Sequence, residues 1–123
     1  MKEDSVFERR YVLTNADVST KEECLTLIAE KAVEFGICSN VQDTVDGFLE
    51  REQVESTGFS DGFAIPHTRC EAVLKPAVMI VKTKNGIDWP SMDGLQTVVI
   101  FALLVPRQVA GTVHLKLLSA LSR

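Results

Sequence analysis

Histidine is scarce in this 123-residue chain, which holds two, His67 and His114. Cysteine is scarce too, and odd in number. Cys24, Cys38 and Cys70 show no Cys-x-x-Cys spacing, which argues against a disulfide framework and a structural zinc site. Reduced, mostly buried thiols are expected instead. Positive charge is in deficit, with 13 Lys and Arg against 17 Asp and Glu, a net charge of −4. That leaves no basic stripe to replace counterions on phosphates and argues against a nucleic-acid partner. Long apolar runs are missing. The longest, "VVIFALLV" at 98–105, has the length of a strand, not the roughly 18 residues of a membrane helix. The opening "MKEDSVFERR" lacks the apolar core of a signal peptide, so a cytoplasmic location is expected. Repeats, low-complexity tracts and linkers are absent as well. What remains is ordinary globular composition, 46% hydrophobic and 24% charged, in a single domain over 1–123.

The patterning then supplies elements. Thr20 and Glu23 have capping-box spacing, and Leu25, Ile28, Ala29, Ala32 and Val33 follow at helical intervals until Gly36 stops them. A second helix is predicted from Gln42 to Val54 on Val45, Phe48 and Leu49. Gly47 interrupts it at a cost of about 1 kcal/mol against alanine. "STGFSDG" reads as a loop. "FAIPH" reads as a short strand ended by Pro66, and "AVMIVKTK" as a strand leading into an "NG" hairpin turn at 85–86, with "IDW" as the return strand. "QTVVIFALLVP", 96–106, is apolar almost throughout and predicts an interior strand covered on both faces. After the loop "RQVAG", "TVHLKLLSALSR" predicts a last helix with Leu115, Leu118 and Leu121 inward. The fold class is therefore α/β: a mixed parallel and antiparallel sheet of about five strands, with helices on both faces.

A histidine at a strand end is commonly a hydrogen-bonded structural residue. Three neighbours give His67 another reading. Pro66 fixes its own φ and extends Ile65, holding the ring at the sheet margin. Arg51 lies near the end of the second helix and carries a donor fork suited to phosphoryl oxygens, although it could equally be a solvated charge paired with Glu52 or Glu55. His114 falls in the first turn of the last helix, where free N–H groups favour an anion, although surface histidines are common there too. Two imidazoles, a guanidinium and a Gly-bearing loop suit a passing phosphoryl group, because a neutral imidazole nitrogen is a competent nucleophile near neutral pH.

At this point "REQVESTGFSDGFAIPH", residues 51–67, resembles the signature of the fructose/mannitol-type enzyme IIA domain of the bacterial phosphoenolpyruvate-dependent sugar phosphotransferase system. "IDWPSMDG", "VVIFALLVP" and "HLKLLSALSR" extend the resemblance over nearly the whole chain. The resemblance implies a mixed α/β sandwich in which His67 is phosphorylated on Nε2. The group would come from the histidine-containing phosphocarrier protein and pass to the cysteine of an enzyme IIB domain. His114 would contact the phosphoryl group, Arg51 would neutralise its oxygens, and Thr57 with the loop from Gly58 to Gly62 would shape the pocket. No cofactor or metal is implied, and the membrane enters only through the IIC transporter. The negative charge would speed encounter with a basic phosphocarrier, and Phe59, Phe63 and Ile65 would offer it an apolar surface, although Phe63 and Ile65 could equally be core. Two departures stand out. The family domain usually runs on into a further C-terminal helix, so a shortened domain lacking it is expected. Thr68 stands where glycine often follows the histidine, which predicts a narrower approach for a partner.

Two alternatives accompany this reading. A regulatory module of the same fold would use the phosphohistidine to control transcription or transport. A metal-binding protein would use His67, Cys70 and His114, although no fourth ligand is evident.

Overall fold

A computed structural model of the chain describes residues 7–54, 58, 62–89 and 94–107. A 3-10 turn at Arg9–Tyr11 leads into β1 (Val12–Ala16), which pairs in parallel with the later strand Ala77–Ile87. The sequence predicts no strand over "VLTNA", whose short length and polar end give no clear alternation.

Helix α1 (Lys21–Glu34) begins as its sequence dictates. The Glu23 N–H donates to Thr20 Oγ1 at 3.1 Å, while the Ser19 and Thr20 N–H groups donate to Glu23 Oε1 at 2.7 and 3.3 Å. Gly36, at φ +77°, follows the helix end. Thr20→Ala removes the cap and is expected to lower unfolding stability by about 1 kcal/mol, read as a lower denaturant midpoint at unchanged m-value. Helix α2 (Val41–Val54) starts one residue before its expected bound, and Asn40 Oδ1 accepts from the Asp43 N–H at 2.8 Å as its cap.

Strands β2 (Phe63–Ala64), β3 (His67–Cys70), β4 (Ala77–Ile87) and β5 (Thr97–Pro106) complete a mixed five-stranded sheet. As predicted, β5 is interior. It pairs antiparallel with β4 on one side and in parallel with β2 and then β3 on the other. Ile100, Ala102 and Leu104 of β5 join Met79 and Val81 of β4 in one core with Leu25, Ile28 and Ala32 of α1 and Phe48 of α2. On the opposite pleat Leu103 and Val105 are buried too. The last helix, expected over 112–123, lies outside the described residues.

Two sequence expectations are corrected here. The "NG" at 85–86 makes no hairpin, and "IDW" is no return strand. The chain stays in β4 through Ile87, and the antiparallel partner is β5, with Lys82 opposite Val99 and Ile87 opposite Thr97. Five steps along β4 therefore face two along β5, which is a bulge. Gly86 sits in it at φ +80°, its N–H donating to Thr83 Oγ1 at 3.0 Å. A left-handed glycine serves a bulge as readily as a turn, and the long apolar strand β5 decides between them. Trp89 then drops into the core. Secondly, Pro66 does not end a strand. It interrupts one, and the chain resumes pairing with β5 at His67.

The thiols are free, as expected from their odd count and spacing. Burial pushes Cys24 up to about 12 and Cys38 up to about 11, so both remain protonated near neutrality.

Candidate functional site

Proline creates the local geometry of the site. Pro66 has no N–H to give the ladder, so pairing with β5 lapses between Ala64 and His67. The Pro66 carbonyl keeps the chain in place by accepting from the Leu103 N–H at 2.9 Å. The Ile65 carbonyl meets the His67 ring instead, 3.0 Å from Nδ1. His67 thus opens β3 on the outer strand of the sheet, with its ring tied back to its own backbone.

Helix α2 lies against β3 and delivers Arg51 in its last turn. The Arg51 Nε–H donates to His67 Nε2 at 2.9 Å. These two contacts determine the tautomer. A carbonyl only accepts and a guanidinium only donates, so Nδ1 carries the proton and Nε2 the lone pair. A doubly protonated ring would set donor against donor at Nε2. The arrangement therefore holds a neutral, half-buried imidazole whose lone pair faces a cation. It can take an electrophile on Nε2 if that electrophile also carries anionic oxygens for the guanidinium. The neighbouring Glu52 is buried and sits 3.6 Å from Lys21 Nζ, tying the end of α2 to the start of α1.

Of the residues singled out from the sequence, Arg51 and His67 come together across a separation of 16 positions. Gly58 is buried and bridges Ala64. The Gly62 carbonyl accepts from the Val98 and Val99 N–H groups at 2.8 and 3.1 Å. Gly58 thus borders β2 directly, and Gly62 ties the start of β2 to β5. Thr57, Phe59 and His114 lie outside the described residues. Among the described residues, no three His, Cys, Asp or Glu side chains gather as a metal site would require. Phe63 is 39% exposed and stacks on Phe101, with ring centroids 5.8 Å apart, while Ile65 is half-buried.

Thr68 does not narrow a partner's approach. It is 2% exposed, because the strand's alternation turns it under α2, against Gly47. Two contributions escaped the sequence reading: the Ile65 carbonyl as the partner of Nδ1, and Gly47 as the point where α2 touches β3. The Ile-Pro-His order was the available signal for the first. The glycine inside an otherwise regular helix was the signal for the second.

The family described as phosphoenolpyruvate-dependent sugar phosphotransferase system, EIIA 2, matches residues 5–123. The chain is 38% identical over 105 residues to the PTS system fructose-specific EIIA component of Haloferax volcanii, a match covering 85% of this chain and 68% of that protein. It is 29% identical over 122 residues to the PTS system fructose-specific EIIABC component of Bacillus subtilis, covering 99% of this chain but 19% of that longer protein. The fold is similar to the crystal structure of nitrogen regulatory protein IIA-Ntr from Neisseria meningitidis, with a TM-score of 0.83 and 26% identity over 94% of this chain and 77% of that one. No described helix is long and apolar enough to cross a membrane.

Proposed function

We propose that this chain, which belongs to the EIIA 2 family of the phosphoenolpyruvate-dependent sugar phosphotransferase system, carries the phosphoryl group on Nε2 of His67. The observation that carries this reading is the Arg51–His67 contact, together with the tautomer it enforces. The donor is the phosphohistidine of a histidine-containing phosphocarrier protein, and the acceptor is the cysteine of an enzyme IIB domain, in sugar or polyol uptake.

In the first step the Nε2 lone pair forms a bond to phosphorus. The bond from phosphorus to the donor's ring nitrogen breaks, and its electron pair stays with the donor. Positive charge develops on the His67 ring as the N–P bond forms, and the Ile65 carbonyl accepts from the Nδ1–H that shares it. The Arg51 donor can no longer address Nε2 and turns to the phosphoryl oxygens, for which its planar fork is suited. In the second step a thiolate attacks phosphorus, and the N–P electron pair returns to Nε2. Such transfer demands positioning and charge stabilisation more than proton movement. His114 supplies a second ring to the phosphoryl group in this scheme, Thr57, Gly58 and Gly62 shape its pocket, and Phe63 and Ile65 belong to the surface that partners cover.

The test is to incubate the protein with phosphoenolpyruvate, enzyme I and the phosphocarrier protein and to locate the phosphate by 31P and 15N NMR. The expected product is Nε2-phosphohistidine at position 67. Phosphate on Nδ1, or on another residue, contradicts the reading.

The likeness to a nitrogen regulatory protein favours a second reading, in which the same phosphohistidine reports a regulatory state and no sugar follows. The two differ at the second step. Transfer from phosphorylated protein to a IIB cysteine supports transport, whereas stable phosphohistidine in the presence of IIB domains supports regulation.

A further inference from the structure

Gly47 breaks a local rule at the centre of α2. A helix interior disfavours glycine, yet here glycine stands one turn before the arginine that meets His67. The Cβ that Gly47 lacks would fall on Thr68 Oγ1, 3.4 Å from Thr68 Cβ and 3.5 Å from Cys70 Sγ. The obstacle is not the free end of a long side chain. Thr68 is short and β-branched, and its strand is paired with β5, Thr68 lying opposite Leu104. The strand cannot retreat, so a methyl group at position 47 must either turn Thr68 about its stiff, buried χ1 or move the helix.

Both sides of this contact are locally unfavourable. The helix carries a glycine, and the Thr68 hydroxyl is buried with no hydrogen-bond partner. Alanine against a smaller strand residue would fill the same space with neither fault. Rule-breaking of this kind concentrates beside functional groups. The functional group here is adjacent on both elements. Residues 47 and 51 share a face of α2 at i, i+4, and residues 67 and 68 are consecutive in β3. Any displacement of α2 from β3 is therefore passed to the 2.9 Å gap between Arg51 Nε and His67 Nε2, a hydrogen bond with a tolerance of a few tenths of an ångström.

Resting on His67 as the phosphoryl acceptor, we infer that Gly47 and Thr68 form a spacer pair that sets the reach of Arg51 to the reacting nitrogen. Gly47 is thus a positioning residue for the transfer. The spacer holds α2 close enough for Arg51 to direct the Nε2 lone pair before transfer and to receive the phosphoryl oxygens during it.

The test compares wild type, Gly47→Ala and the double variant Gly47→Ala/Thr68→Gly, with potassium phosphoramidate as a small donor that needs no docking surface. The Nε2 lone pair forms the N–P bond, the phosphoramidate P–N bond breaks, and its pair leaves on nitrogen as ammonia. In Gly47→Ala the saturating rate of loading is expected to fall about tenfold or more, with the half-saturating phosphoramidate concentration within about twofold of wild type. The NMR signal of the Arg51 Nε–H is expected to lose its coupling to His67 Nε2. The double variant is expected to recover both. A Gly47→Ala protein that melts earlier but loads at the wild-type rate with the Arg51 signal intact overturns the inference, because the contact would then be packing alone. If Gly47→Ala does not fold, the double variant decides. Wild-type loading and coupling support the spacer, and a double variant lacking them, or itself unfolded, refutes it. If wild type takes no phosphoryl group on His67, the acceptor reading fails, and the Arg51 coupling still judges the spacer on its own.

Discussion

His67→Ala is expected to take up no phosphoryl group from a phosphorylated phosphocarrier protein, while keeping the circular dichroism of the wild type. In the proposed function Nε2 is the nucleophile, and the local chain prepares it for that role. Its lone pair is assigned by two partners, a carbonyl that only accepts and a guanidinium that only donates. Alanine removes the atom proposed to form the bond to phosphorus, so the expected loss is complete, not graded. Radiolabel that persists on the variant would place the acceptor elsewhere in the chain and remove the basis of the proposed function. His67→Gln sharpens the comparison. It keeps a polar side chain for Arg51 but has no nucleophilic nitrogen, and it too is expected to remain unlabelled.

Arg51→Ala is expected to slow loading of His67 by roughly 10²-fold or more, the effect of losing one preorganised donor to developing charge. The loss should appear in the transfer step, because the arginine meets Nε2, and in the proposed scheme its fork turns to the phosphoryl oxygens there. Arg51→Lys restores a positive charge without the planar fork and is expected to fall between wild type and alanine. Stopped-flow loading under single-turnover conditions separates that step from partner binding. A wild-type rate for Arg51→Ala would mean that the guanidinium only packs against the ring.

These two results and the spacer test address different parts of one arrangement. In the proposed scheme His67 supplies the bond, Arg51 answers the charge, and Gly47 with Thr68 sets the distance between them. The spacer also gives the unusual Thr68 a physical reason. A threonine after the histidine fits because the helix opposite it has no side chain at Gly47.

Local signals were legible in the sequence where the interaction is local. The Thr20–Glu23 capping box spans four residues, and both of its hydrogen bonds form as their spacing requires. The apolar run at 96–106 could satisfy its side chains only inside a sheet, and β5 is the strand with partners on both sides. The Arg51 and His67 pairing was accessible through family resemblance, and the fork and ring chemistry made it sensible. Other features misled because one residue type serves several geometries. Asn85-Gly86 can turn a hairpin or fill a bulge, and only the register between β4 and β5 distinguishes them. Pro66 can end a strand or interrupt it, and only the β5 edge running past it lets pairing resume at His67.

By itself, then, the sequence determined the bounds of α1 and α2 to within a residue, the interior strand, the scarcity of titratable rings and the Ile-Pro-His order around one of them. Those depend on neighbours within a few positions or on the total inventory of side chains. Tertiary structure decided what lies opposite each element: that β2 and β3 share the β5 edge, that α2 lies close over Thr68, and that Arg51 reaches Nε2. Contacts between distant segments are set by how whole faces pack and by which bulky groups are missing at the crossing point. No local spacing in the chain encodes that distance.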